Sequence, residues 1–186
     1  LYGGAGNDVF ELNTNNLSNL NALRIDGGTG LDTVRLASTV SGQTLDLASM
    51  NPQAIKGIEA FDLTGGGNNT LSLSLNDLYA LAGEGAHGAW QSSKWGGVVT
   101  GNAGLLDVNH QQIRIDGNAG DVLDISLFPP GLSYTGQVIF NSNTYSVYND
   151  DAKHVQLIVD SDVQVQNLPA ILLADVAAGT GGYVIH

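Results

Sequence analysis

The sequence predicts a mainly all-β fold: a β-sandwich-like or partly coiled domain of largely antiparallel strands with one or two short helices, with a parallel β-roll over the whole chain as the alternative, for which the glycine turns are few and widely spaced. Three observations point to the all-β fold. Short runs alternate apolar and polar residues, as in Gly57-Ile58-Glu59-Ala60-Phe61-Asp62-Leu63 and Thr70-Leu71-Ser72-Leu73-Ser74-Leu75, the period-2 pattern of strands with one buried face. Turns rich in Gly, Asn and Asp separate the runs, where those residues supply left-handed backbone and local hydrogen bonds. Acids outnumber bases 18 to 6, for a net charge of −12, a surplus that bound divalent cations would neutralise.

The central stretch is Arg24-Ile25-Asp26-Gly27-Gly28-Thr29-Gly30-Leu31-Asp32-Thr33-Val34-Arg35-Leu36, a strand, a glycine turn with two carboxylates and a second strand. Gly3-Gly4-Ala5-Gly6-Asn7-Asp8-Val9-Phe10-Glu11 is the cleanest copy of the device, and Arg114-Ile115-Asp116-Gly117-Asn118-Ala119-Gly120-Asp121 a looser one. Glycines let the chain turn and aim carbonyl oxygens at one point, and the Asp adds a charged oxygen. Calcium, a hard cation, takes about six to eight such ligands. Candidate metal ligands are therefore Asp8, Asp26 and Asp32 in the first two turns, and Asp116, Asn118, Asp121 and Asp124 at the third. The Thr64–Thr70 turn, with Asp62 before it and Asn68 and Asn69 within it, is the next choice of site, and Asp62 and Asn68 join the set. The plainer reading is three ordinary Gly/Asp turns between strands. With several Ca²⁺ ions in the turns, the expected fold becomes a calcium-stabilised one.

Length and composition set the remaining bounds. A chain of 186 residues with 42% apolar content suffices for one domain with a sizeable core. The negative charge argues against nucleic acid and anionic membrane as partners. There are no cysteines, so disulfides are excluded as staples, and metal can do that job in an extracellular domain. No run approaches the ~18 apolar residues of a membrane helix, so direct membrane insertion is not expected. The chain opens on Leu1 inside a turn motif and reads as a fragment of a longer protein.

In chain order, Val9–Leu12 is a strand, and Asn13–Asn21 is a short helix or turn with an Asn cap. Ala22–Leu36 is the strand-turn-strand unit, Thr44–Leu47 a strand, and Ala48–Ile55 a loop carrying Pro52. The runs around Ile58–Leu63 and Thr70–Leu75 form a strand-turn-strand pair. Asn76–Ala82 is a short helix capped by Asn76 or Ser74. Residues 83–111 form a long glycine-rich loop with both tryptophans, Trp90 and Trp95, and loops of that length are often functional. Ile113–Ile115, Val122–Leu127, a Gln137–Phe140/Thr144–Tyr148 hairpin, Val155–Val159 and Val163–Val165 are further strands. Asp160-Ser161-Asp162 reads as a solvated turn or a metal ligand pair. The domain spans 1–167, and 168–186 is a small-residue tail leading to a next module.

Catalytic signatures are absent from the sequence. It has no cysteine nucleophile, no His-Glu-x-x-His, no Gly-x-Ser-x-Gly and no phosphate-cradling glycine loop. His87, His110, His154 and His186 are scattered without ligand spacing. The chain is not expected to be an enzyme. The third turn departs most from the pattern and adjoins the tryptophan loop and the Pro129-Pro130-Gly131 turn with Tyr134. An under-coordinated calcium and a ligand pocket are expected there, formed by Asp116, Asn118 and Asp121 with Trp90, Trp95 and Tyr134 as walls.

The order of segments Gly3–Phe10, Arg24–Thr33, Gly57–Leu73, Ile115–Asp121, Tyr145–Tyr148 and Asp175–Ile185 resembles a module near the C-terminal end of very large bacterial RTX adhesins, and Gly-Gly-x-Gly-x-Asp-x-apolar-x is their calcium-binding nonapeptide. The resemblance covers nearly the whole chain. It implies an extracellular, cell-surface adhesin module, a monomeric unit of a long multidomain chain of Gram-negative origin and biofilm-type cell adhesion. It implies calcium-dependent binding of the free C-terminus of a peptide on another cell. A calcium-dependent carbohydrate-binding module taking surface glycans, or a passive spacer, are the alternatives.

Overall fold

The structure is a computed structural model and describes residues 1–81, 99–100 and 110–166. The chain opens with β1 (Tyr2–Ala5) and β2 (Val9–Leu12), followed by α1 (Thr14–Ser18) and a single 3-10 turn at Leu20–Ala22. Asn13 starts α1 through a capping box: its side chain accepts from the N–H groups of Asn15 and Asn16, and its own N–H donates to Asn16 Oδ1 at 2.9 Å. Next come β3 (Ile25–Thr29), β4 (Thr33–Leu36), β5 (Thr44–Asp46), β6 (Ile55–Lys56), β7 (Ala60–Asp62), β8 (Thr70–Ser72) and α2 (Leu75–Leu81). The remaining strands are β9 (Val99–Thr100), β10 (Gln111–Asp116), β11 (Val122–Asp124), β12 (Ser133–Phe140), β13 (Asn143–Asp150), β14 (Val155–Asp160) and β15 (Gln164–Gln166).

These strands form three sheets, in the orders β1-β3-β6, β2-β4-β7-β10-β14-β13-β12-β9 and β15-β11-β8-β5. All pairings in the first and third sheets are parallel. The second is parallel from β2 to β14 and turns antiparallel only through β13, β12 and β9. The chain thus winds as stacked coils, each laying a strand on two or three sheets in turn. The mainly-β fold with two short helices stands as expected, but the expectation of largely antiparallel strands is corrected. Alternation suggested antiparallel pairing because parallel sheets are usually covered on both faces. Here the outer face of the long sheet stays partly solvated, with Arg35 exposed and Asp62 half-buried. The runs around Ile58–Leu63 and Thr70–Leu75 are both strands, but β7 and β8 lie in different sheets, so the Thr64–Asn69 segment is a corner of a coil, not a hairpin turn.

The core follows from the register. Phe10, Val34, Phe61, Ile115 and Val159 lie side by side across β2, β4, β7, β10 and β14. Leu45, Leu71, Leu123 and Val165 do the same across the third sheet, and both ladders pack into one interior cluster. A second, small cluster of Ala60, Val138, Tyr145, Val147 and Ile158 sits outside it, with Leu31 and Phe140 against it. Through that cluster the β12–β13 hairpin associates with the solenoid, beside the cleft described below.

Candidate functional site

Polar side chains line up where the coils turn. Asp32 Oδ1 accepts the Asp8 N–H at 2.7 Å, and Glu59 Oε2 accepts the Asp32 N–H at 2.8 Å. At the next corner, Asn69 Oδ1 accepts the Gln43 N–H at 3.1 Å and Asp121 Oδ1 accepts the Asn69 N–H at 2.8 Å. Each acceptor therefore caps a backbone donor of the preceding coil, which explains why Asp32, Glu59, Asn69 and Asp121 are buried polar residues.

The first two turns also offer oxygens to a cation. Asp8 Oδ2 and Asp32 Oδ2 are buried without a hydrogen-bond partner. A Cβ at Gly3 would fall 2.6 Å from Asp8 Oδ2 and 2.5 Å from the Gly27 carbonyl oxygen; one at Gly27 would fall 2.6 Å from Asp32 Oδ2 and collide with the Gly57 carbonyl. Each turn thus gathers carboxylate and carbonyl oxygens around a spot that only glycine leaves open. An all-oxygen donor set suits calcium. Burial pushes the Asp32 carboxyl above its ordinary range, and the charges of Asp8 and Asp26 add to that against the bond from the Asp8 N–H. Among the described residues no three His, Cys, Asp or Glu side chains gather at one point. A cation at these turns would therefore be held by Asp8 or Asp32 with carbonyls such as those of Gly27 and Gly57.

The other expected ligands are placed differently. Asp26 pairs with Lys56 at 2.8 Å. Asn68 is exposed with φ +56°, and its Oδ1 sits where a side chain at Gly120 would be. Asp124 Oδ1 accepts the Ser126 N–H at 2.9 Å, closing a local turn. Asp62 Oδ1 accepts from the Thr64 N–H and hydroxyl, at 3.0 and 2.6 Å.

Asp116 and Asp121, expected to act together, are separated. Asp121 is 0% exposed, and its two oxygens accept the Asn69 and Asn118 N–H groups at 2.8 and 2.7 Å. Asp116 instead lies on the outer face and lines a cleft of about 530 Å³ with Asp62, Arg114, Asn118, Tyr145, Asp160 and Asp162. The register sets the row: Glu11 neighbours Arg35, Arg35 neighbours Asp62, and Asp62 neighbours Asp116. Asp160, on the strand beyond, lies opposite Tyr145. Asp116 Oδ1 accepts the Tyr145 hydroxyl at 2.9 Å, and its Oδ2 accepts Arg114 Nε and Nη2 at 3.1 and 2.8 Å. Asn118 Nδ2 donates to the Thr64 carbonyl at 2.9 Å, joining two turns at the rim.

Burial dominates the electrostatics of the cleft. It raises the Asp116 carboxyl above its usual range despite Arg114 and the Tyr145 bond, and Asp62 adds to the rise. It raises Asp160 too, with the Asp162 and Asp116 charges adding against the bond from the Asp162 N–H. The Tyr145 phenol is held well above its ordinary value by burial and by the adjacent Asp116 charge.

Tyr134 is exposed on β12, packs edge-to-face on Tyr148 with centroids 5.8 Å apart, and does not line this cleft. Trp90 and Trp95 lie outside the described residues. Arg114 and Tyr145 were not anticipated as site residues; the repeated Arg-Ile-Asp-Gly at 24–27 and 114–117 marked the turn but not the role of its arginine. No family model matches the chain, and comparisons with curated proteins and with solved structures find no match.

Proposed function

We propose that this chain is a non-catalytic, extracellular binding module of the adhesin type. Calcium in the Gly3–Asp8 and Gly27–Asp32 turns keeps the coils together, and a peptide of another cell enters the cleft around Asp116. The observation carrying this reading is the cleft itself: about 530 Å³, built from strand ends and the turns beside them, with polar groups converging from four strands. The partnerless, buried Asp8 and Asp32 oxygens support calcium as the staple, since an unpaired buried carboxylate is costly.

The cleft also bears on how a free C-terminus would bind. It sets Asp62, Asp116, Asp160 and Asp162 against Arg114, which is already paired with Asp116. A terminal carboxylate entering there would need a cation to bridge it to the wall. The test is a combined peptide and glycan array with excess Ca²⁺ and with EGTA, followed by a product assay on each hit. Peptide binding without turnover, released by EGTA, is the expected result. Product formation, or binding indifferent to chelation, would refute the reading, and hits confined to glycans would reassign the ligand class.

A further inference from the structure

We infer that a cation in the Gly27–Asp32 turn anchors the C-terminal end of α2, through the peptide that joins Gly57 to Ile58. This rests on calcium occupying that turn and adds what its occupancy controls. The two cation turns are built alike, but their neighbours differ. In the first, Asp8 Oδ2 and the Gly27 carbonyl border the point where a side chain at Gly3 would be, so both coils carry the Gly/Asp turn. In the second, Asp32 Oδ2 and the Gly57 carbonyl border the corresponding point at Gly27. The coil supplying Gly57 reads Gly57-Ile58-Glu59-Ala60-Phe61-Asp62 and has no such turn. Its carbonyl is delivered by register instead: β6 pairs with β3, and Lys56 meets Asp26 at 2.8 Å just before Gly57. Glu59 completes the corner by accepting the Asp32 N–H.

The link begins at Asp32, which is 0% exposed and whose Oδ2 is buried without a hydrogen-bond partner. A carboxylate oxygen and a carbonyl oxygen facing one point repel each other unless a cation lies between them. The peptide that presents this carbonyl has its N–H on the other side. The Ile58 N–H donates to the Leu81 carbonyl at 3.3 Å, and the Gly57 N–H donates to the same oxygen at 2.8 Å. Leu81 is the last residue of α2, where helix carbonyls lack intrahelical donors. A cation therefore holds the peptide in the orientation that also anchors the helix, and polarises it so that its N–H is a stronger donor. Without the cation, the repulsion is relieved by turning the carbonyl away from Asp32, which withdraws the Ile58 N–H from Leu81. Gly57, at φ +61°, has the backbone freedom for that rotation. The first turn takes its carbonyl from Gly27, in the middle strand of the order β1-β3-β6, one strand further from α2.

The experiment follows amide exchange and chemical shifts of the whole chain during a Ca²⁺ titration that starts in EGTA. The Gly27 shift reports the second turn and the Gly3 shift the first. Exchange of the Gly57, Ile58 and α2 amides should slow roughly tenfold or more, with the midpoint of the Gly27 shift. Asp32→Asn, which keeps an acceptor for the Asp8 N–H, should abolish this slowing, and Asp8→Asn should leave it in place. Coupling between two sites is reciprocal, so Leu81→Ala, which loosens the helix end, should weaken Ca²⁺ at Gly27 about fivefold and leave the Gly3 midpoint unchanged. That measurement decides the matter even where Asp32→Asn fails to fold. A Gly27 shift without slower exchange in α2, an unchanged Gly27 midpoint in Leu81→Ala, or a response lost equally in Asp8→Asn and Asp32→Asn would overturn the inference while sparing calcium as the staple. Absence of any Ca²⁺ shift at either turn would refute both.

Discussion

At Gly27 the backbone of one coil lies so close to the next that a methyl group would strike the Gly57 carbonyl and the Asp32 side chain. Gly42 has left-handed backbone, φ +62°, but nothing within 4 Å of its missing Cβ. The two glycines are thus required for different reasons, space and conformation. Gly27→Ala should cost more than ~2 kcal/mol through forced separation of the coils, and Gly42→Ala ~1 kcal/mol through backbone strain alone. Urea unfolding of both variants checks the order, and equal losses would contradict it. At Asp160 the carboxyl titrates above its ordinary range because of burial. A raised folded-state value means that its contribution to stability is present below the unfolded value and is lost as pH rises through the folded one. Wild-type melting temperature relative to Asp160→Asn should therefore fall from acid toward neutral pH, and a difference independent of pH would count against the assignment.

Helix α2 shows how a local signal is decided by hydrogen bonding. Both Ser74 and Asn76 are plausible caps by residue type, but Ser74 precedes the helix. Its hydroxyl accepts the Asp77 N–H at 3.3 Å, and Asp77 Oδ2 accepts the Ser74 N–H and hydroxyl, each at 2.6 Å. Ser74→Ala should lower stability by ~1 kcal/mol and Asn76→Ala by less than ~0.5 kcal/mol, as read by thermal or urea unfolding; a reversed order would reject Ser74 as the cap. In the strands the ladder matters most at Phe61, which is fully buried between Val34 and Ile115. Phe61→Ala should cost about 3–5 kcal/mol.

Stacked coils mainly contact their neighbours, so stability is distributed along the stack and its parts can open separately. The two turns with partnerless carboxylate oxygens, at Asp8 and Asp32, both belong to the end built from β1 to β4. The other end is tied by the antiparallel ladders of β12, β13 and β14. Chelation should therefore lower the melting temperature and remove hydrogen-exchange protection in β1–β4 before β10–β14. Superimposable melting curves in Ca²⁺ and EGTA, or loss that begins in β12–β14, would refute calcium as the staple of that end.

The sequence by itself determined the local units. Alternation located the strands, Asn13 marked one helix start and Ser74 or Asn76 the other, and Gly3–Asp8 and Gly27–Asp32 stood out as glycine turns bearing carboxylates, because each signal depends on residues a few positions apart. Tertiary structure alone decided which strands pair. Alternation tells which side chains face inward but not which strand lies alongside; the stacked corner residues recur at 24, 27 and 26 positions, but the step from Asn69 to Asp121 is 52 and breaks the repeat. For the same reason the cleft was only partly legible. Asp116, Asn118 and Asp62 stood out in their turns, whereas Arg114, Tyr145 and Asp160 join them only because parallel coils and one antiparallel hairpin bring the ends of their strands into a single row.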